Sequence, residues 1–120
     1  LNISSIYGFV PPDFNFYNGT QMVGVPIEYA AIKSSLIHLT RFMAKYFKDL
    51  NIKVNALSPG GILDNQPKSF LDKYNDKCLS KGMLDKKDLV KLEVLIGVDK
   101  LPTKGSSLYG LMNCAMCRFI

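Results

Sequence analysis

Tyr29 and Lys33 stand four residues apart in a stretch, Glu28 to Asp49, that reads as one helix. Residues at i and i+4 share a helix face, so the spacing stacks a phenol and an ammonium one turn apart. A free phenol ionises at about 10, which makes it a poor proton donor or acceptor at neutral pH. A neighbouring cation favours the phenolate and pulls that value toward the range a general acid/base needs. The same spacing also arises where an aromatic packs at a helix start with a surface lysine one turn on. Upstream, Asn2-Ile3-Ser4-Ser5-Ile6-Tyr7-Gly8 is an apolar, β-branched run that ends in hydroxyls and a glycine. That is the pattern of a strand end delivering polar groups to a site.

The elements that must position these groups follow from periodicity. Along 28–49, Ile32, Leu36, Leu39, Met43, Phe47 and, just beyond, Leu50 fall at steps of three and four and form one apolar stripe. After the helix, Ile52-Lys53-Val54-Asn55-Ala56-Leu57 alternates like a strand and runs into Ser58-Pro59-Gly60-Gly61-Ile62. A strand, a long crossover helix and a second strand make a βαβ unit with both strands parallel in one sheet. Ligands of open α/β sheets bind outside the carboxyl ends of the strands. The serines, Tyr29 and the Pro-Gly turn all converge on that edge.

Taken together, Asn-Ile-Ser-Ser, Tyr-Ala-Ala-Ile-Lys and Val-Asn-Ala-Leu-Ser-Pro-Gly-Gly-Ile resemble the short-chain dehydrogenase/reductase family over residues 1–90. The resemblance implies an α/β fold, the C-terminal part of a Rossmann-like doubly wound parallel sheet made of a βαβ unit plus flap helices. It implies an oxidoreductase that uses NAD or NADP on a small-molecule substrate. By the same resemblance Tyr29 is the catalytic acid/base, and Lys33 lowers its pKa and holds the cofactor ribose hydroxyls. Ser5 hydrogen-bonds the substrate carbonyl or hydroxyl. Pro59, Gly60, Gly61 and Ile62 form the loop whose backbone faces the nicotinamide amide. The family's Gly-rich phosphate turn, its residue selecting NAD or NADP and its catalytic asparagine have no counterpart here. The chain, which opens on Leu1, is therefore expected to be a fragment that is inactive alone. Asp64 stands where the family often has a threonine touching the cofactor, so that contact is not carried over.

Residues 9–27 are rich in Pro, Gly, Asn and aromatics without either regular period, and they read as a long ordered loop. Many family members place the serine and tyrosine closer together, so the loop carries an insertion over the substrate cleft. Phe14, Phe16 and Tyr17 could stack on a sugar or a base, or could simply anchor the loop. The insertion and Ser-Pro-Gly-Gly-Ile-Leu-Asp-Asn-Gln-Pro are similar to dehydrogenases of flagellin-modification and surface-glycan pathways, which implies a sugar or nucleotide-sugar precursor as substrate. On the helix, Ile37, Phe42 and Tyr46 lie off the first stripe, so more than one side must be buried. In the resembled family this helix packs against its copy, which implies a homo-oligomer through 28–49; burial within one subunit is the other reading. His38, the single histidine, has no acidic or cysteine partner at ligand spacing and reads as packing or interface. From Gln66 to Leu79 a charged helix carries Phe70, Tyr74 and Cys78 on one face, and the resemblance makes it a mobile flap. Asp85 reads as the N-cap of another helix, with Asp88 in its first turn.

From Lys91 onward the resemblance stops. Residues 91–120 read as a frame-shifted, poorly ordered tail or as a divergent one. Cys114-x-x-Cys117 lacks a second pair or a histidine, so no metal site is expected. Three cysteines without a disulfide framework fit a reducing, cytoplasmic setting. No secretory leader is recognisable, and no apolar run approaches the roughly 18 residues of a membrane span. The net charge of +5 attracts nucleotide phosphate or nucleic acid in principle. The lysines are interleaved with Asp72, Asp76, Asp85 and Asp88, however, which suggests a solvated face and no nucleic-acid partner. The alternative to an oxidoreductase is a non-catalytic truncated product or a fragment that interacts through its long helix.

Overall fold

The computed structural model describes residues 1–50, 52–79, 82–88 and 90, together with the backbone of 107–110. Strand β1 (Asn2–Ile3) leads into a 3-10 turn at Ile6–Gly8, and a second 3-10 turn, Phe14–Tyr17, lies within the long loop. Helix α1 (Ile27–Tyr46), strand β2 (Asn55–Ser58), helix α2 (Lys68–Asp76) and strand β3 (Ser107–Gly110) follow. The sheet order is β1-β2-β3 and both pairings are parallel, so α1 is the crossover of the expected βαβ unit. Apart from Ser107–Gly110, residues 91–120 lie outside the described residues, as do Cys114 and Cys117.

Strand β1 is shorter than the Asn2–Gly8 run suggested. The reason is local: the Ser5 hydroxyl accepts the Tyr7 N–H and caps the 3-10 turn, which bends the chain off the strand direction. Pairing with the β2 side nevertheless continues past the strand, with Ser4 N–H donating to the Leu57 carbonyl at 2.7 Å and Ile6 N–H to that of Pro59 at 3.0 Å. The serines therefore sit where the sheet ends, as expected.

Helix α1 begins with Glu28 in its first turn and has Lys45 in its last, charges that complement the helix dipole at each end. Its buried side coincides only in part with the apolar stripe read from the sequence. Ile37 and Thr40 are buried, with half-buried Lys33, Leu36, Met43, Ala44 and Phe47 around them, so Leu36, Met43 and Phe47 of the stripe turn inward, whereas Ile32 is 57% exposed and Leu39 and Leu50 are also exposed. Polar matches hold the inner face to the sheet. Asn2 Nδ2 donates to Thr40 Oγ1 at 2.9 Å, and Ser4 Oγ donates to the Lys33 carbonyl at 2.6 Å. Hydrophobic periodicity misses the centre of this face, where Lys33, Thr40 and Ala44 sit among the apolar residues.

Gly8 lets the first 3-10 turn lie directly on that face. A Cβ there would stand 2.8 Å from the Lys33 carbonyl oxygen and 2.7 Å from Ile37 Cδ1. The first of these is helix backbone and cannot rotate away. Gly8→Ala is expected to lower stability by about 1–3 kcal/mol through overpacking. A denaturation midpoint equal to that of the wild type would show that the turn can slide off the helix without loss.

The other packed region joins the loop to α2. Phe16, Phe70 and Tyr74 form a buried cluster, with Tyr17, Met22, Leu71, Cys78 and Met83 packed around it. The Phe70, Tyr74 and Cys78 face read from the sequence is thus the inner face, although α2 itself is shorter than 66–79. Asp85 caps a following turn: its Oδ1 accepts from the N–H groups of Lys87 and Asp88, while Asp88 Oδ2 accepts from the Asp85 N–H.

Candidate active site

The carboxyl ends of β1 and β2, the start of α1 and the end of the 9–27 loop enclose a cleft of about 420 Å³. Ser5, Tyr29, Pro59, Gly60, Gly61 and Ile62 all line it. Lys33 does not reach the cleft wall. It stands behind Tyr29, with Nζ 5.5 Å from the ring centroid, close enough for a cation–π attraction. The same ammonium donates to the Ile3 carbonyl at 3.0 Å, which leaves it two further N–H donors.

The two serines have separate tasks. Ser4 is committed to the Lys33 carbonyl, so it belongs to the helix-to-sheet joint. Ser5 accepts the Tyr7 N–H at 3.2 Å and keeps its own O–H, which it can donate into the cleft. Tyr29 is 39% exposed, and among the described residues its phenol has no hydrogen-bond partner.

The backbone of the Pro59–Ile62 loop can be accounted for group by group. The Pro59 carbonyl accepts from Ile6, the Gly61 carbonyl from Leu84 at 2.8 Å, and the Ile62 carbonyl from Gln66 Nε2 at 2.9 Å. The Gly61 N–H donates to Tyr74 Oη at 2.8 Å. The N–H groups of Gly60 and Ile62 and the Gly60 carbonyl have no partner among the described residues, so these are what the loop has left for a ligand. A carboxamide, with one acceptor and two donors, matches that set in kind.

Several cleft residues escaped the sequence reading, Tyr7 and Met22 among them. Tyr7 lines the wall, and burial, reinforced by the neighbouring Tyr17 phenol, pushes its own phenol well above its usual pKa. Burial raises the Tyr17 phenol as well. The available signal was the aromatic two residues beyond Ser5. Met22 also lines the cleft. Of the loop aromatics, Phe16 is an anchor, only 2% exposed, with its ring 6.1 Å from Phe70 and edge-on to it. Tyr17 both packs on Phe70 and lines the cleft, while Phe14 is 59% exposed. Ser58 Oγ is buried without a partner among the described residues. Among the described residues there is no cluster of side chains able to hold a metal ion, and no helix long and apolar enough to cross a membrane.

No protein-family model matches the chain. It is 47% identical over 89 residues to post-translational flagellin modification protein A of Campylobacter coli, an alignment covering 74% of this chain and 34% of that protein. Its structure resembles that of a short-chain dehydrogenase from Leptospira borgpetersenii solved with bound NAD+, with a TM-score of 0.75 and 32% identity. That match takes in 89% of this chain and 41% of the other. A 3-oxoacyl-[acyl-carrier protein] reductase of Brucella melitensis with bound NAD, 19% identical, matches 91% of this chain and 38% of its own with a TM-score of 0.68, which speaks for the fold alone. The chain thus spans about a third of the curated relative it matches. A parallel α/β sheet with Ser5, Tyr29 and the Pro59–Ile62 loop at its carboxyl edge, together with these likenesses, places the chain in the short-chain dehydrogenase/reductase family.

Proposed function

We propose that this chain supplies the proton-transfer and nicotinamide-facing part of an NAD(P)-dependent oxidoreductase. The observation that carries the reading is that Ser5, Tyr29 and the Pro59–Ile62 loop line one cleft, with the Lys33 ammonium directly behind the Tyr29 ring. Bound NAD(P)(H) would supply or take up the hydride. In the reducing direction Ser5 O–H holds the substrate carbonyl oxygen, and Tyr29 O–H gives that oxygen its proton as the carbon becomes an alcohol carbon. The phenolate so formed, beside the Lys33 charge, is reprotonated from solvent. Oxidation runs the same transfers backwards. Gly60 and Ile62 offer the backbone groups for the nicotinamide carboxamide, and the free N–H donors of Lys33 suit the ribose hydroxyls.

The likeness to flagellin modification protein A supports a sugar or nucleotide-sugar precursor as substrate, handled in the cytoplasm where the nicotinamide pool lies. Exposed Ile32, Leu39, Phe42 and Tyr46 on α1 support homo-oligomer formation through this helix. The described residues include no glycine-rich turn for the pyrophosphate, and the chain by itself is read as inactive, a non-catalytic piece that keeps its association helix.

The test is a pair of assays. The 120-residue chain alone is expected to show no NADH or NADPH turnover. A chimera carrying its 89-residue matched segment in place of that of the Campylobacter coli protein is expected to restore flagellin modification to cells lacking that protein. Turnover by the chain alone would sink the incompleteness. A folded, inert chimera would sink the assigned function.

A further inference from the structure

We propose that Tyr74 is a positioning residue for the cofactor-facing loop, acting from α2 without entering the cleft; this rests on the reading of Pro59–Ile62 given above. Tyr74 is 2% exposed, and its Oη accepts the Gly61 N–H at 2.8 Å. Gly61 is half-buried, and its amide left without that acceptor would bear part of the desolvation penalty of an unpaired donor. The approach is as close as backbone allows. A Cβ on Gly61 would stand 3.0 Å from both Tyr74 Cζ and Oη and 2.5 Å from Met83 Cε. The close approach of Tyr74 therefore favours glycine at 61.

The consequence lies in the direction of two peptide planes. The Gly61 N–H is turned toward α2 by Tyr74, and its carbonyl is turned toward Leu84, whose N–H it accepts at 2.8 Å. With both groups of Gly61 held away and the Ile62 carbonyl taken by Gln66, the loop has only the N–H groups of Gly60 and Ile62 and the Gly60 carbonyl to present. Tyr74 thus selects which backbone donors and acceptors a nicotinamide would meet. The ring is itself held, 5.5 Å from Phe16 and stacked on Phe70 at 6.0 Å. The adjacent Lys73 ammonium donates to the carbonyls of Asn15 and Asn18, so the inserted loop grips the same helix. The inserted loop is thus packed on α2, and α2 is tied to the cofactor-facing loop through the Tyr74 phenol oxygen.

Tyr74→Phe keeps the ring in its cluster and removes the hydroxyl that accepts the Gly61 N–H. In the 120-residue chain, free of cofactor, the Gly61 amide is expected to exchange with solvent about tenfold faster in the variant, as local opening loses one buried hydrogen bond. The amides of Leu57 and Ile37 should be unchanged. Equal Gly61 exchange in both proteins would overturn the proposal. So would a rise shared by Leu57 and Ile37, which would reduce Tyr74 to a core residue. In the chimera, the same substitution is expected to raise KM for NADH about tenfold with kcat held within about twofold. Faster Gly61 exchange with an unchanged KM would confirm the tie and instead sink the cofactor role of Pro59–Ile62, so the two failures are distinguishable.

Discussion

Tyr29→Phe is expected to lower turnover of the assembled oxidoreductase by about 10²–10⁴-fold, the range spanned by removal of a general acid/base. The fold should survive the change. Tyr29 is partly exposed, its phenol oxygen bonds no other described group, and the Phe ring retains the surface that faces the Lys33 ammonium. Steady-state kinetics of the chimera, together with a thermal melt, would read both halves of the expectation. Retained turnover would mean that another group carries the proton. Tyr7, whose phenol is held protonated by burial in the same cleft, is then the next to replace.

The largest effect on stability is expected from Phe16→Ala. Phe16 is 2% exposed and is the point at which the inserted loop enters the cluster of Phe70 and Tyr74. Truncating a buried Phe costs about 3–5 kcal/mol, because the neighbours collapse only partly into the void. Much of that cost should appear as undocking of the loop, since the Lys73 grip on Asn15 and Asn18 is exposed and cannot hold it alone. Tyr17 and Met22 would leave the cleft wall with it. Phe14→Ala is the control: an exposed side chain away from the cluster should shift stability by no more than about 0.5 kcal/mol. Melting curves of the two variants that superimpose would refute the anchor.

What could be read from the sequence was whatever is local. Tyr29 and Lys33 announce themselves by helical spacing, Ser4 and Ser5 by ending an apolar run, and Pro59 to Ile62 by following a strand without a gap. Each depends on neighbours in the chain, and the structure sets Ser5, Tyr29 and that loop around one cleft. What could not be read depends on partners distant in the chain. The inner face of α1 takes Leu36, Met43 and Phe47 from the apolar stripe but is also joined through Asn2, Ser4 and Gly8, and such a polar joint has no hydrophobic period. Phe16 could have been a ligand platform or an anchor until Phe70 and Tyr74 were seen against it. The pairing of Gly61 with Tyr74 is invisible in the same way, because nothing in a Pro-Gly-Gly turn says which side chain will accept its amide.

Lys33 illustrates a wider point about inheritance. Its ammonium donates to the Ile3 carbonyl at the end of β1, a structural contact of the side chain that holds whether or not any reaction takes place. A descendant released from selection for turnover would keep this lysine for as long as it kept its shape. Tyr29 has no second employment of that sort and would be among the first to drift. When gene copies of this kind are compared, survival of the lysine records only that the chain still folds. Survival of the tyrosine is the mark of recent use.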